Sequence, residues 1–416
     1  MKLSNLVTES TVSASSPNGR PNLLDFTRSV NNLIYTDLVA VQPTNMPVSA
    51  LYGLRYMNAN SDMSYTTAAT YSGEYGDQHS TTPVVTAGSY QPGTLIKLDD
   101  VLYQVVNAIT ITNVNTDVYT AAMKGDIRIA SESASTSKFE AANSVIQEAN
   151  FKIDKWQADV KTRKLKTEIT LETLQDLDAA GADAQKVVKD FLVTMISEDI
   201  NKDIIQRLIT VSKRWKVKGL SENGYIDYSA GTDDLTSDMF SYRLTRIVSE
   251  MAASATRRTG FNPNYVLASS RVGAILQAAG IEQTPGQKSP GFLTKLGMNL
   301  YIDTTCPFDY VIVGVKQDTD DKNEKMEAIG SLVYSPFLQD DMAGVIQLVK
   351  DPDSLQDNLA IMTRYSLSVN PYATTQDDFS NIRITKGDDW QNLVGRSDMS
   401  MFLGIILPEY LNDDVD

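Results

Sequence analysis

The sequence predicts an α+β fold organised around one unusually long helix. Three observations support this: an apolar row at helical spacing, a strand-like alternation before it at 161–171, and mixed strand and helix patterns over 214–360. The apolar row consists of Val188, Leu192, Met195, Ile196, Ile200, Ile204, Leu208 and Val211. Roughly 30 residues at 1.5 Å rise give a rod of about 45 Å, whereas the mean globular helix has about 11–12 residues.

The run directly before this helix is basic and alternates in polarity. Arg163, Leu165 and Thr167 fall on one side of a period-two pattern. Lys164 and Lys166 fall on the other side. The pattern predicts a strand with one partly apolar side and one charged side. Such a charged side often lies at a surface that another molecule covers, although an ordinary half-buried strand has the same pattern.

The segments before the helix differ in composition. Residues 1–50 are polar, with a helical pattern at 23–39, which is typical of an arm that needs a neighbour to order it. Residues 63–149 are rich in Thr, Ser, Ala and Gly. Because a structureless loop of that length is unusual inside a compact domain, this stretch predicts a β-hairpin loop or small β module. Its strand-like runs are at 94–98, 101–106, 108–114 and 127–130.

The segments after the helix predict an α/β region and a returning sheet. One helix is expected at about 235–258, with Arg257 and Arg258 before Gly260, as helix C-termini favour. A strand at 265–268 and a helix at 271–279 follow. Further strands are predicted at 300–302, 310–315, 331–334, 345–349, 361–369, 381–385 and 402–407.

The composition is typical of a globular protein, and the net charge argues against electrostatic binding of nucleic acid. The 416 residues are 42% hydrophobic and 21% charged, with a net charge of −15. Such a field repels phosphates, so broad DNA or RNA binding is not expected. Neither a bilayer-spanning apolar run nor a signal-peptide core is present, so we expect a soluble, cytosol-made chain without membrane contact.

The sequence contains few of the residues and motifs that are typical of enzyme active sites. The chain has one cysteine, Cys306, and one histidine, His79, which excludes a cysteine-rich zinc site and most histidine-dependent machinery. Phosphate-binding, dinucleotide-binding, nucleophile-elbow and zinc-protease motifs are absent. The acidic cluster of Asp318, Asp320 and Asp321 lacks the glycine and final glutamate of a calcium loop. The sequence therefore predicts no catalytic, cofactor or metal site.

Seven segments, spread over most of residues 51–372, resemble a known family. Five of them are, or include, LYGLR at 51–55, KTRKLKTEITLE at 161–172, SEDINKDII at 197–205, ATRRTGFNPNYVLASS at 255–270 and LVYSPFLQDD at 332–341. In this order they resemble the major capsid proteins of T-even-type myoviruses, tailed bacteriophages with a Hong Kong 97-like capsid fold. The strand-into-helix segment KTRKLKTEITLE is the most specific of them.

The resemblance implies a division of the chain. Residues 1–50 would be the N-terminal arm, and residues 63–149 the extended loop, where related proteins carry a small β insertion module. Residues 214–360 would form the axial domain at the capsomer centre. The peripheral domain, which includes the long spine helix, would combine 51–62, 150–213 and 361–416.

The resemblance also implies a role. Such subunits self-assemble into hexamers and pentamers that form the phage head around packaged double-stranded DNA, without sequence-specific binding. They are assembled in the host bacterial cytoplasm and reside in the virion. Further partners would be vertex, scaffold, portal and decoration proteins of the same phage. No enzyme activity and no cofactor are implied.

Two sets of site residues follow from this role. The basic strand residues Lys161, Arg163, Lys164 and Lys166 are candidate inter-subunit contacts, which would meet acidic loops of neighbouring subunits. Val7-Thr8-Glu9 loosely fits the cleavage motif of family prohead proteases, so Glu9 is a candidate cleavage site.

Three alternatives stay open at this point. The first is a vertex-forming paralogue, a pentamer of the same fold. The second is an encapsulin-like compartment shell, which is encoded by the host. The third, from a different class, is a carbohydrate-binding or hydrolytic protein built around the hairpin at 90–115.

Overall fold

The computed structural model describes a little over three fifths of the chain. The described residues are 35–57, 82–98, 101–130, 136–140, 142, 150–170, 184–228, 237–278, 291–293, 297–317, 329–338, 344–350, 357–370 and 386–407.

Helices and strands are mixed along these residues, which confirms the predicted α+β class. The helices are α1 Tyr35–Leu38, α2 Val114–Lys124, α3 Thr136–Glu140, α4 Ala184–Val211, α5 Ser237–Thr259 and α6 Ser270–Ala278. The first strands are β1 Ala40–Val41, β2 Val48–Met57, β3 Gly88–Tyr90, β4 Leu95–Leu98, β5 Val101–Val105, β6 Ile109–Ile111, β7 Ile127–Ile129, β8 Asn150–Asp159 and β9 Lys161–Ile169. The middle strands are β10 Ser212–Arg214, β11 Tyr225–Asp227, β12 Tyr265–Ser269, β13 Gly291–Leu293, β14 Met298–Asp303, β15 Tyr310–Gly314 and β16 Lys316–Gln317. The last strands are β17 Ile329–Gly330, β18 Leu332–Pro336, β19 Gly344–Lys350, β20 Asp357–Val369 and β21 Ser397–Ile406.

The chain forms two compact units. The first consists of 1–51, 155–256 and 261–416, and the second of 52–154 with 257–260. The two-stranded pair of β2 and β8 belongs partly to each. The division into arm, peripheral domain, extended loop and axial domain stays a prediction.

A seven-stranded mixed sheet forms the centre of the first unit. Its strand order is β10-β21-β15-β12-β14-β13, and β11 also pairs with β21. Every residue of β12 and β15 is buried, because both faces of the sheet are covered. Val266 and Val311 face a core that they share with α5 and α6, whereas Leu267 and Ile312 face the core that contains α4.

A second sheet of five strands packs against α4. β20 lies between β9 and β19, since its residues 357–363 are in register with both. The end of β20 pairs with β18, which in turn pairs with β1. Leu359 and Ile361 of β20 belong to the same buried cluster as Ile200 and Ile204 of α4. Both sheets therefore contribute to one core around α4.

The long helix is confirmed, with one correction to its apolar row. α4 has 28 residues, which corresponds to about 42 Å. Leu192 and Ile196 are buried as expected, but the side chain of Met195 is 43% exposed. At 3.6 residues per turn, Met195 lies about 80° around the axis from the midpoint of those two residues, so it falls outside the buried face.

The second unit has its own small core. β4, β5 and β7 form one sheet, β3 pairs with β6, and α2 packs beside them. Ile96, Val105 and Ile111 are buried together with Val118 of α2. The strand expected at 108–114 was partly wrong, because the strand ends at Ile111 and a helix begins at Val114.

The sequence contains capping residues that indicate α2, although its hydrophobic periodicity did not predict this helix. The Asp117 carboxylate accepts hydrogen bonds from the backbone N–H groups of Asn113 at 2.7 Å and Thr112 at 2.8 Å. These bonds lower the pKa of Asp117. At the other end, Gly125 has φ of 84°, which ends the helix in a left-handed turn. An acidic residue in the first turn and a closing glycine are typical of a helix.

Gly314 provides a test of the central sheet. A Cβ at this position would overlap the ring and hydroxyl group of Tyr265, which is fully buried on the neighbouring strand. We therefore expect Gly314→Ala to lower the free energy of unfolding by about 1–3 kcal/mol, as overpacked cores do. Gly88→Ala is the control, since a Cβ there has no neighbour within 4 Å. Equal urea midpoints for the two variants would contradict this packing.

Candidate inter-subunit surface

The basic strand β9 presents two different faces. It pairs antiparallel with β20, so that Arg163 is opposite Thr363 and Lys166 is opposite Ala360. Arg163 and Leu165 are half-buried and lie on the side of α4, whereas Lys164 and Lys166 are exposed. The predicted alternation of this strand is confirmed.

β9 is also an edge strand within the described part of the chain, where β20 is its one pairing partner. An unpaired strand edge can add a further strand from another molecule, and lysines on such an edge discourage unwanted pairing. The exposed Lys164 and Lys166 are residues of this kind.

Arg163 makes its contacts inside the subunit. Its guanidinium forms an ion pair with Asp199 and lies 3.1 Å from Asp203, and both acidic residues are on α4. Its Nε donates to the hydroxyl oxygen of Tyr365 on β20. The Tyr365 hydroxyl in turn donates to Oδ2 of Asp203 at 2.9 Å. The role of Arg163 between subunits stays a prediction, and the observed partners are those of a clamp between β9, β20 and α4.

The pKa shifts in this clamp follow from burial and charge. Burial by itself would lower the pKa of Arg163, but the Tyr365 hydroxyl and the negative charge of Asp203 together raise it. Burial, with a smaller contribution from Asp203, raises the pKa of Tyr365 well above its ordinary value. Tyr365 is therefore a neutral hydroxyl that both accepts from Arg163 and donates to Asp203.

A cleft of about 270 Å³ opens beside the clamp. Arg207 of α4 is part of its wall, where its guanidinium carbon lies 4.9 Å from the ring centroid of Trp390. Lys161, another predicted contact, is exposed and lines the same cleft. The acidic and aromatic residues around Arg163 come from distant parts of the sequence. The signal that could have indicated them is the spacing of Asp199, Asp203 and Arg207 along one face of α4.

Other residues singled out from the sequence lie elsewhere. Glu9, His79 and the acidic cluster at 318–321 are outside the described residues. Within the described ranges, His, Cys, Asp and Glu form no group of three or more that could hold a metal ion. A membrane-crossing helix is likewise not found among the helices described above.

The comparison with known proteins decides the family. Residues 16–405 of this chain match the protein family that is described as "Major capsid protein Gp23". The chain belongs to the Gp23 major capsid protein family. This capsid subunit is 39% identical over 436 residues to the capsid vertex protein of Enterobacteria phage T4, covering 99% of this chain and 100% of that protein.

Two further similarities are to a major capsid protein and to a solved phage capsid. It is 25% identical over 416 residues to the major capsid protein of Enterobacteria phage T4, covering 86% of this chain and 77% of that protein. The solved capsid of Myoviridae Phage XM1 is 8% identical and covers 98% of this chain and 99% of its own, with a TM-score of 0.44. Since that score is below 0.5, the family assignment rests on the sequence match.

The family confirms the predicted function class. The subunit is a structural protein of the phage head and is located in the virion. The predicted resemblance is confirmed at the level of the family.

The Arg163 clamp gives a stability test. Arg163→Met keeps much of the side-chain volume but leaves Asp203, which is 17% exposed, without this guanidinium. We expect the free energy of unfolding of the unassembled subunit to fall by about 1–3 kcal/mol, measured by urea denaturation. Lys164→Met, on the exposed side of the same strand, should change it by about 0.5 kcal/mol or less. The clamp has no stabilising role if both variants unfold at the same urea concentration.

Proposed function

We propose that this capsid subunit forms the pentameric capsomers at the vertices of a T-even-type phage head. One observation carries the proposal: identity to the vertex protein of phage T4 is 39% over the full length of both chains, against 25% to the major capsid protein of the same phage. If the chain were the hexamer-forming subunit, the higher identity would be expected to the second protein.

The net charge of −15 is consistent with a shell that encloses DNA without holding it. A wall of such subunits repels phosphates, so the packaged duplex would stay mobile against the inner surface. Sequence-specific DNA contacts form no part of the proposal. The partners would be further copies of this chain and the other head proteins of the phage.

The main rival is the hexamer-forming subunit of the same head, which the family description favours. The family match also supports a phage head over an encapsulin-like compartment. Glycan binding by the hairpin at 90–115 stays a prediction, and a glycan array with the purified subunit tests it.

Copy number separates vertex from hexamer subunits. A closed icosahedral shell has twelve five-fold vertices, so a vertex subunit should be present at no more than about 60 copies per head. A hexamer subunit would be present at several hundred copies. Quantitative gel densitometry of purified heads, with the portal as internal standard, measures this number. Several hundred copies would refute the vertex assignment without affecting the assignment to the family.

For contacts between subunits, we propose the exposed face of β9, with Lys164 and Lys166, rather than the whole basic strand. Arg163 is engaged by Asp199 and Asp203, so reversing its charge would disturb the fold as well as any interface. Subunits that each carry −15 repel one another at long range, and local pairing of these lysines with acidic loops of a neighbour would counteract that repulsion.

A charge-reversal pair tests this surface. Lys164→Glu with Lys166→Glu should reduce the yield of heads at least about tenfold, while the subunit keeps its urea midpoint. Lys216→Glu with Lys218→Glu is the matched control, because both lysines are exposed and the change in net charge is the same. If the control reduces head yield equally, general repulsion is responsible and the β9 surface is excluded. Electron microscopy of assembly reactions counts the heads.

A further inference from the structure

α4 has a second apolar row, which its own core does not cover. Val187, Phe191 and Met195 follow one another at intervals of four residues and are 41%, 45% and 43% exposed. At this spacing they line one face over two turns, away from Leu192 and Ile196. Single exposed apolar residues are ordinary, but an aligned row of large ones marks a surface that something covers.

The N-terminal arm approaches this helix from the start of the described chain. Leu38 of α1 and Val39 after it are fully buried in the cluster that contains α4. The segment that ends at residue 34 is therefore continuous with residues that pack in the core around α4. In sequence, this segment places Leu23, Phe26 and Val30 at helical spacing, and Ile34 continues the row.

The two rows match in length and character. As a helix, residues 23–34 would be about 18 Å long, and the row from Val187 to Met195 extends about 12 Å along α4. The arm segment is therefore long enough to match the row, and as an extended chain its 12 residues would span about 40 Å.

We propose that residues 23–34 of the arm dock on the Val187–Phe191–Met195 row of α4 in the same chain. The arm would complete the apolar environment of α4 on the side that the two sheets leave open. This inference is independent of the choice between vertex and hexamer subunits.

Trypsin cleavage after Arg28 reports this docking. Between Lys2 and Arg55, Arg20 is followed by Pro21 and is resistant, so Arg28 is the cleavable position. In the full-length, unassembled subunit, Phe191→Gln with Met195→Gln should raise the initial rate of this cleavage about tenfold or more, because cleavage follows the population of the undocked arm. Val193→Gln is the control, since Val193 is 40% exposed on another side of α4 and should leave the rate within about twofold.

A variant in the arm itself controls for the possibility that the α4 substitutions act by destabilising α4. Phe26→Gln changes only the arm and should give the same acceleration. Combined with the α4 pair, it should add no further acceleration, since both remove one interaction. An unchanged rate in the α4 pair, or fully additive effects, would overturn the proposal. Protection that disappears on dilution would also overturn it, because the occupant would then be a second copy.

Discussion

The burial of α4 between two sheets is the constraint on which the first unit depends. Its inward residues belong to one cluster with Leu359 and Ile361 of the five-stranded sheet and with Tyr310 and Ile312 of the seven-stranded sheet. Each fully buried side chain of this size contributes about 1.5–3 kcal/mol, so the cluster fixes both sheets against one rod. A shift of α4 would have to open contacts on both sides at once.

The period of two in β9 divides that strand between two tasks. Odd positions carry Arg163 and Leu165 towards α4, where the guanidinium bridges strand and helix through Asp203. Even positions carry Lys164 and Lys166 to the outside. A single short stretch therefore ties the subunit together and offers charge to its surroundings. Removing the charge of Arg163 is expected to affect the stability of the subunit, whereas removing the charge of Lys164 or Lys166 is expected to affect its contacts with other molecules.

Buried polar residues explain why the start of one core strand was not predicted from the sequence. β21 begins at Ser397, five residues before the apolar run that indicated it. Asp398 in this stretch is buried and lies 2.9 Å from the Lys213 ammonium of β10. The Ser400 and Ser212 hydroxyls lie 2.8 Å apart. Pattern reasoning treats such residues as exposed, whereas Asp398 and Ser400 each have a polar partner on the neighbouring strand β10 inside the core.

By itself, the sequence determined the α+β class, the length of the spine helix, the faces of β9 and the family, because each of these is a local period or a row of segments in order. Only the tertiary structure decided that Arg163 faces inward to Asp199 and Asp203, that Met195 falls outside the buried face, and that polar β21 residues are internal. The contacts of Arg163 depend on partners separated from it by 36 to 202 positions in the sequence, and no local pattern specifies which of them its side chain meets.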